Sequence, residues 1–217
     1  MSVERWRRAQ QSEHQHPTHT SIGWTADEAA ASYRENYGID LDGFDGTFLV
    51  VGAGTGRVHA LDIDGQAIGI DPLYQHFDEV PDSEASLATA AGEYIPLQDR
   101  CVDIAASHNV LDHVVNPLAV LNDIHRVLDE DGTFALMVNV FLLPAAVRRL
   151  LNSIDRPHPH HFAPDDVRNL LDEAGFKIVD ETVEPLNPET KNAKMWIAIN
   201  FARIRRIVIR AVPVPSE

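Results

Sequence analysis

The stretch FLVVGAGTGRV, residues 48–58, sets an apolar run directly before three glycines. The run Thr47–Val51 has the composition of a short strand that is buried on both faces of a sheet. Gly52 permits a tight turn, Gly54 lets a ligand approach the backbone, and Gly56 lets the next element pack closely. Strand, glycine loop and helix in this order are typical of doubly wound folds, which bind ligands at the carboxyl ends of their strands.

The residues after the glycines narrow the choice of ligand. Dinucleotide-binding loops have a glycine at the sixth position, where this chain has Arg57. A phosphate-binding P-loop is excluded because no Gly-Lys-Ser/Thr follows. The next strand ends at Asp71, whose carboxylate can accept both hydroxyls of a ribose and would repel a ribose phosphate. The interval from Gly56 to Asp71 is short for a helix plus a strand, so we expect a clipped helix around Val58–Leu61.

The remaining chain alternates apolar strand patterns with helical patterns, which indicates βαβ units and a mostly parallel sheet. The last two predicted strands have only a polar loop between them, so we expect them to form an antiparallel pair at the sheet edge. The predicted strands are Thr47–Val51, Ala67–Ile70, Ser86–Ala90, Val102–Ser107, Thr133–Val140, Phe176–Val183 and Met195–Phe201. The predicted helices are a cap helix that ends at Gly38, Pro117–Leu128 ended by Gly132, Leu142–Ile154 and Pro164–Ala174.

Length and patterning predict a single domain over residues 1–217. Residues 1–22 are polar and aperiodic, and we interpret them as a loose N-terminal arm. The capping box Thr25-Ala-Asp-Glu28 begins the cap helix, which spans 23–38. Residues 141–165 are assigned to a substrate-side insertion, and 203–217 to a C-terminal tail that docks as an amphipathic element.

Net charge, the lack of long apolar runs and the cysteine content disfavour several partners and locations. The net charge of −15, from 33 acidic and 18 basic residues, disfavours nucleic acid and anionic membranes as partners. No apolar run approaches the ~20 residues of a membrane helix, and the N-terminus lacks the apolar segment of a signal peptide. With Cys101 as the sole cysteine there is no disulfide framework, so a cytoplasmic location is expected. The acid excess, together with only three lysines, also suggests that the protein works in a salt-rich cytoplasm.

Five ordered blocks carry a resemblance to a known family. After the glycine loop and Gly69-Ile-Asp71 come AGEYIPLQD (91–99), VDIAASHNVLDHV (102–114), and LNDIHRVL (121–128) with DGTF (131–134). In this order they resemble the class I S-adenosylmethionine-dependent methyltransferases, and most closely the small-molecule type called methyltransferase type 11. The resemblance covers about residues 47–140, with a weaker continuation from 160 to 176.

The resemblance implies a fold, a cofactor and a set of site residues. The fold would be a three-layer α/β sandwich, Rossmann-like, with a mostly parallel seven-stranded sheet and an antiparallel edge strand. The cofactor would be S-adenosylmethionine, with S-adenosylhomocysteine as product, and the acceptor an unidentified small molecule. The glycine loop and Asn109 would lie at the methionine end, Asp71 at the ribose, and Gly92 and Glu93 at the adenine. The full set of implied cofactor-binding residues is Gly52, Ala53, Gly54, Gly56, Asp71, Pro72, Gly92, Glu93, Asn109, and Trp24 and Tyr33 of the cap helix region as closing residues.

Two departures from the family pattern keep other functions open. The family usually has an acid two residues before the first glycine and another before the adenine loop, where this chain has Val50 and Ala91. An inactive relative that binds the cofactor or a partner protein is therefore one alternative. A nicotinamide-dependent oxidoreductase is a second, which Arg57 disfavours. A nucleic-acid methyltransferase is a third, disfavoured by the acidic charge and by the lack of an Asn/Asp-Pro-Pro-Tyr block after the fourth strand.

Methyl transfer from a sulfonium needs alignment first, and a general base only when a hydroxyl must lose its proton. His113, which follows Asp112 just past the fourth strand, is the candidate base; the alternative is a pair that only begins a helix. His158, His160 and His161 lie between prolines in an extended loop, which we assign to the substrate side rather than to a metal. The apolar residues and histidines of 141–165 suggest a neutral or partly apolar acceptor.

Overall fold

The computed structural model describes residues 24–76, 83–154, 159–186 and 203–214. These residues form helices and strands in an alternating order that matches most of the predicted pattern. The helices are α1 (Ala26–Tyr37), α2 (Pro117–Val127), α3 (Ala145–Ile154) and α4 (Pro164–Glu173). The strands are β1 (Thr47–Val51), β2 (Gln66–Ile70), β3 (Ser86–Ala88), β4 (Val102–His108), β5 (Leu128–Phe141), β6 (Phe176–Pro185) and β7 (Ile204–Pro213).

The strands form one seven-stranded sheet in the order β3-β2-β1-β4-β5-β7-β6. Strands β1 to β5 are parallel to one another, and β7 is antiparallel to both β5 and β6. This arrangement confirms the predicted fold class. An antiparallel pair of late strands lies at the sheet edge, but its second strand is β7 and not the predicted 195–201. Strand order reverses between β1 and β4, so the carboxyl end of β1, where the glycine loop begins, lies at the topological switch point.

Both faces of the sheet are covered by helices. Tyr33 and Tyr37 of α1 pack on one face against Phe48 of β1 and Val208 of β7. On the other face α2 and α4 cover a larger apolar core, which includes Leu171 of α4. The side chains of β1 alternate between these two cores, which is why its sequence is apolar at consecutive positions.

The ends of α1 follow the sequence signals closely. The Thr25 hydroxyl accepts a hydrogen bond from the Glu28 amide at 3.3 Å, and Glu28 Oε2 accepts one from the Thr25 amide at 2.9 Å. Gly38 ends the helix with a left-handed backbone, φ 63°. The connection from β1 to β2 holds only a 3-10 turn, Arg57–Ala60, in agreement with the clipped helix that the short interval predicts.

Two expectations about the later elements need correction, and a third falls on residues that the structure does not describe. Residues 204–213 are not a docked tail but strand β7, which pairs with β5 on one side and β6 on the other. The predicted strand at 195–201 lies outside the described residues. Gly132 does not end α2; the helix ends at Val127, and β5 begins at once because Leu128 already pairs with Val102 before an irregularity in the ladder.

The helix inside the predicted insertion also begins later than predicted, since α3 starts at Ala145 rather than at Leu142. Among the described residues, no helix is both long and apolar enough to cross a membrane.

Candidate functional site

The glycine loop turns sharply away from β1 at the switch point. Gly52 and Gly54 have φ of 69° and 51°, backbone conformations that side-chain-bearing residues rarely adopt. A Cβ on Gly52 would lie 2.3 Å from Cγ2 of Val110, so this position also has no room for a side chain. The amides of Gly52 and Ala53 donate to the carbonyl of Ile70, at 2.9 and 3.0 Å, which ties the loop to the end of β2.

Asp71 joins the loop to the segment after β2. Its Oδ2 accepts a hydrogen bond from the Gly54 amide at 3.0 Å, and its Oδ1 accepts one from the Leu73 amide at 2.8 Å. The side chain is nearly buried, with 8% of the residue exposed. Asp71 also lines a cleft at the carboxyl ends of the strands, where a carboxylate is a suitable acceptor for the hydroxyls of a ribose.

His59 contacts the glycine loop, a contact that the sequence did not predict. Its Nε2 lies 3.0 Å from the Gly54 carbonyl oxygen and its Nδ1 lies 3.3 Å from the Ser83 hydroxyl. The sequence signal was weak because this histidine is one residue of a short turn with no motif of its own.

Asn109 follows β4 and faces the loop from the next strand. Its backbone is left-handed, with φ 56°, and its amide donates to the Met137 carbonyl at 2.7 Å. Its Oδ1 accepts a hydrogen bond from Nδ2 of Asn139 at 2.7 Å. Strained backbone of this kind at a strand end is common at ligand sites, and it turns the chain across the top of the sheet here.

Gly92 and Glu93 form the far wall. A Cβ on Gly92 would lie 3.0 Å from Val51 Cγ1 and 3.1 Å from Val120 Cγ1, so close packing favours glycine. Oε1 of Glu93 accepts hydrogen bonds from the amides of Val115 and Asn116, at 2.9 and 3.1 Å. The Glu93 side chain thus braces the segment before α2.

These elements enclose a cleft of about 260 Å³ at the carboxyl ends of the strands. Four of the implied residues do not line it: Ala53 is buried beneath, and Gly56, Trp24 and Tyr33 lie outside its wall. The cleft is lined by Val51, Gly52, Gly54, Asp71, Pro72, Leu73, Ala91, Gly92, Glu93, His108, Asn109, Val110, His113 and Val114.

The two positions where the family usually has acids carry no charge in the structure. Val50 is 4% exposed and belongs to the apolar core beneath α1. Ala91 lines the cleft. The site therefore presents a bare backbone loop and Asp71, but no carboxylate at either place.

His113 lines the cleft next to a buried acid. Its Nε2 lies 3.6 Å from Oδ2 of Asp112, a residue that is 2% exposed. The His113 amide donates to the Val110 carbonyl at 2.9 Å, so the pair sits in a tight turn just past β4. Helix α2 begins only at Pro117, with Asn116 as its N-cap, so the pair does not begin that helix. Asp112 instead lies beside the imidazole at the edge of the cleft.

The histidine loop packs against the same segment. His160 Nε2 lies 3.0 Å from the Val114 carbonyl oxygen, and its ring stacks on Phe162. His161 is buried, with Nδ1 at 2.8 Å from Oδ1 of Asn152. His161 and Phe162 therefore form the packed base of the loop, while His158 lies outside the described residues. Within the described ranges no cluster of three or more potential metal ligands occurs.

An aromatic and basic cluster lies next to the cleft, and the sequence did not predict it. The His108 ring packs between Tyr33 and Tyr37, with centroid distances of 5.5 and 5.6 Å. Burial and the nearby charge of Arg57 lower the pKa of His108 to about 3, so its ring is neutral. The Arg57 guanidinium lies 4.3 Å from the centroid of the Trp24 ring.

Comparison with known proteins finds a family model that matches part of the chain. Residues 49–136 match the family model described as methyltransferase domain. This part of the chain is therefore similar to S-adenosylmethionine-dependent methyltransferases. The matched region begins in β1 and ends in β5, so it includes every strand end that borders the cleft. The cofactor of that family is S-adenosylmethionine.

One curated relative and several solved structures are similar to this chain. An arsenite methyltransferase of Halobacterium salinarum is 25% identical over 214 residues, covering 81% of this chain and 54% of the relative. The chain thus spans about half the length of that relative. Phospholethanolamine N-methyltransferase 2 of Haemonchus contortus, in complex with phosphomonomethylethanolamine and S-adenosylhomocysteine, has a TM-score of 0.61 at 12% identity, covering 88% of this chain and 53% of its own.

A second structure contains an activator protein. The complex of the Haloferax volcanii Trm112 methyltransferase activator with a candidate methyltransferase gives a TM-score of 0.64 at 17% identity, covering 99% of this chain and 100% of that chain. At such identities the solved structures establish the shared fold.

Proposed function

We propose that the protein transfers the methyl group of S-adenosylmethionine to a small-molecule acceptor by in-line displacement. The observation that carries this proposal is the glycine loop held to Asp71, inside a domain of this family and at the switch point of the sheet. Bound S-adenosylmethionine supplies a methyl group that is already electrophilic on its sulfonium. Alignment of the acceptor by the protein can then lower the barrier by up to ~7–11 kcal/mol.

The residues that would hold the cofactor divide along the cleft. Gly52 and Gly54 offer bare backbone at the methionine end, and Asp71 offers acceptor oxygens to the ribose. Gly92 and Glu93 would flank the adenine through their backbone, because the Glu93 carboxylate already binds two amides before α2. Asn109 would face the methionine end, held in place by Asn139.

His113 is proposed as the general base when the acceptor is a hydroxyl. It lines the cleft, and Asp112 lies at 3.6 Å from its Nε2. A positioned base contributes roughly 10²–10⁴-fold to such reactions, so methyl transfer to a stronger nucleophile would proceed without it.

The similarity to an arsenite methyltransferase does not indicate arsenite as the acceptor of this chain. Soft acceptors such as trivalent arsenic favour thiolate ligands. The single cysteine of this chain, Cys101, precedes β4 at the amino end of the sheet, and its sulfur donates to the Gln98 carbonyl at 3.0 Å. The cleft lies at the opposite end of the strands, so this chain offers no thiol there.

An inactive relative that only binds the cofactor or a partner protein is the second candidate. The apolar residues Val50 and Ala91 favour it, because they remove two polar anchors that the family usually has. The structural neighbour in complex with an activator is consistent with a further protein partner for proteins of this fold.

Calorimetric titration with S-adenosylmethionine, S-adenosylhomocysteine and NAD tests the proposal. We expect the two sulfur ligands to bind with micromolar dissociation constants and NAD not to bind. Asp71→Asn should weaken both sulfur ligands by about tenfold or more, because the amide loses charge and acceptor capacity toward the ribose.

Asp64→Asn is the matched control, since Asp64 is exposed in the loop before β2. It should bind like the original protein, and thermal melting should show both variants folded. Failure of the unaltered protein to bind either sulfur ligand would contradict the proposal and favour the scaffold or oxidoreductase alternatives.

A further inference from the structure

The turn at residues 110–114, between β4 and α2, forms one wall of the cleft. Its side chains that line the cleft are those of Val110, His113 and Val114. Both ends of the turn are anchored to neighbouring elements. Before it, the amide of Asn109 donates to the Met137 carbonyl, and after it, Glu93 accepts hydrogen bonds from two successive amides. The candidate base His113 lies between these anchors.

His160 of the histidine loop holds the middle of this turn. Its backbone amide donates to the carbonyl of Asp112 at 3.4 Å, and its Nε2 lies 3.0 Å from the carbonyl oxygen of Val114. A carbonyl oxygen can only accept a hydrogen bond, so Nε2 carries the proton and donates. The two carbonyls flank His113. One residue therefore fixes the peptide groups on both sides of the candidate base.

The His160 ring is itself held in place by the packed base of its loop. It stacks on Phe162, with centroids 5.7 Å apart and 9° between the ring planes. The Phe162 carbonyl accepts from the amide of Phe141 at the end of β5, at 2.8 Å. The next residue in the loop, His161, donates from its amide to Oδ1 of Asn152 in α3, also at 2.8 Å. The donor to the turn is thus carried by a segment that is tied to a strand and to a helix.

The same arrangement confines the imidazole of His113. The buried carboxylate of Asp112 places Oδ2 at 3.6 Å from Nε2 of His113, and the His113 amide closes the turn by donating to the Val110 carbonyl at 2.9 Å. With the carbonyls of residues 112 and 114 held by His160, carboxylate and imidazole keep this relative position. Such precision matters because a misplacement of about 1 Å can lower a rate roughly 10²-fold.

We infer that His160 is a positioning residue for His113. It is not among the residues that line the cleft, so it acts through the turn and not on a ligand. This inference rests on the proposed function, in which His113 is the general base. It gives His160 a specific task, whereas the sequence only assigned this histidine to a substrate-side loop.

Two substitutions separate the hydrogen bond of His160 from its ring. His160→Phe keeps a ring that can stack on Phe162 but removes the donor to Val114, whereas His160→Gln keeps a side-chain N–H donor without the ring. Exchange of the His113 amide hydrogen reports opening of the turn, because this amide bonds across it. We expect exchange to be about 3- to 10-fold faster in His160→Phe, as for the loss of one hydrogen bond, and nearly restored in His160→Gln.

The ring signal of His113 in NMR spectra is a second readout. At one fixed pH it should move in His160→Phe and return in His160→Gln, because the carboxylate of Asp112 changes its position relative to the imidazole. A histidine that only holds its own loop would alter the exchange of loop amides such as that of His161. It would leave the His113 ring signal in place.

A third measurement needs no variant and therefore does not depend on how the variants fold. Ring nitrogen spectra of the unaltered protein should show His160 with a proton on Nε2. A ring proton on Nδ1 alone would remove the donor to Val114 and would overturn the inference.

His125→Phe is the matched control, because His125 lies in the last turn of α2 and its ring packs on Phe176. Its Nε2 has no hydrogen-bond partner within the described ranges, so the substitution removes a ring nitrogen without breaking a bond there. Exchange of the His113 amide and the His113 ring signal should both stay unchanged.

The inference is overturned if His160→Phe leaves the exchange and the ring signal of His113 as in the original protein. It is equally overturned if His160→Gln differs from the original as much as His160→Phe does. Thermal melting shows which variants are folded. All of these measurements use the ligand-free protein, so failure to bind S-adenosylhomocysteine, which would contradict the proposed function, is a separate result.

Discussion

Polar residues at the strand ends carry more than one duty each. Asp71 accepts a hydrogen bond from the Gly54 amide and lines the cleft, and Glu93 braces the segment before α2 and also lines the cleft. Substitution of either residue therefore changes local structure and ligand contacts together. Conservative variants such as Asp71→Asn are preferable to alanine because they keep part of the hydrogen bonding.

His108 should make the protein less stable in mild acid. Its pKa is about 3 in the folded protein against an ordinary 6.5, so below pH 6.5 the unfolded chain takes up a proton there and the folded protein does not. Its contribution to the free energy of unfolding is thus full above 6.5 and falls as the pH decreases toward 3. His108→Phe keeps an aromatic ring and removes this loss.

Urea unfolding of both proteins at pH 7 and pH 5 measures the effect. The free energy of unfolding of the original protein should fall relative to His108→Phe between the two pH values. A constant difference between them would show that His108 is protonated normally in the folded state.

His113→Ala tests whether the Asp112–His113 pair acts in catalysis. With a hydroxyl acceptor, the substitution should reduce kcat by roughly 10²–10⁴-fold. Affinity for S-adenosylhomocysteine should stay the same. His76→Ala, at an exposed position, is the control, and turnover of His113→Ala equal to that of the control would leave the pair with a structural role.

At the scale of elements, the short connections shape the site. A 3-10 turn replaces the helix between β1 and β2, which brings Arg57 and His59 close to the glycine loop. Helix α1 covers the same face of the sheet and places Tyr33 and Tyr37 against the His108 ring. The site therefore depends on the stability of α1.

The capping box of α1 offers a direct test of that dependence. Thr25→Ala removes the hydroxyl that accepts from the Glu28 amide, and it should lower the free energy of unfolding by about 1 kcal/mol. Thr25→Ser retains the hydroxyl and should lose much less. Guanidinium unfolding midpoints of the two variants give the comparison, and equal midpoints would mean that the cap contributes nothing measurable.

Over the whole molecule, the acid excess dominates the electrostatics. A net charge of −15 produces repulsion within the folded chain, which dissolved salt screens. The melting temperature should therefore rise between low salt and molar KCl. Repeating the scan in molar sorbitol separates screening from general solute effects, and a melting temperature insensitive to KCl would refute the expectation of a salt-rich setting.

The sequence by itself determined the fold and the residues at the strand ends that line most of the cleft. Several signals act over only a few residues, so their structural consequences can be predicted without knowledge of tertiary contacts. They are the consecutive apolar residues in β1, the glycines after it, Asp71 and the capping box. The family blocks then placed Gly92, Glu93 and Asn109 at one end of the sheet, where the structure brings them together.

Only the tertiary structure decided where β7 pairs and which polar groups stay without partners. The alternation of Ile204–Pro213 suits an amphipathic element at the surface equally well, and only long-range pairing inserts it between β5 and β6. The aromatic and basic cluster around His108 likewise combines residues of α1, the 3-10 turn and β4, with no shared motif. A missing hydrogen bond is a property of everything packed around a group, and therefore no local pattern in the sequence reveals it.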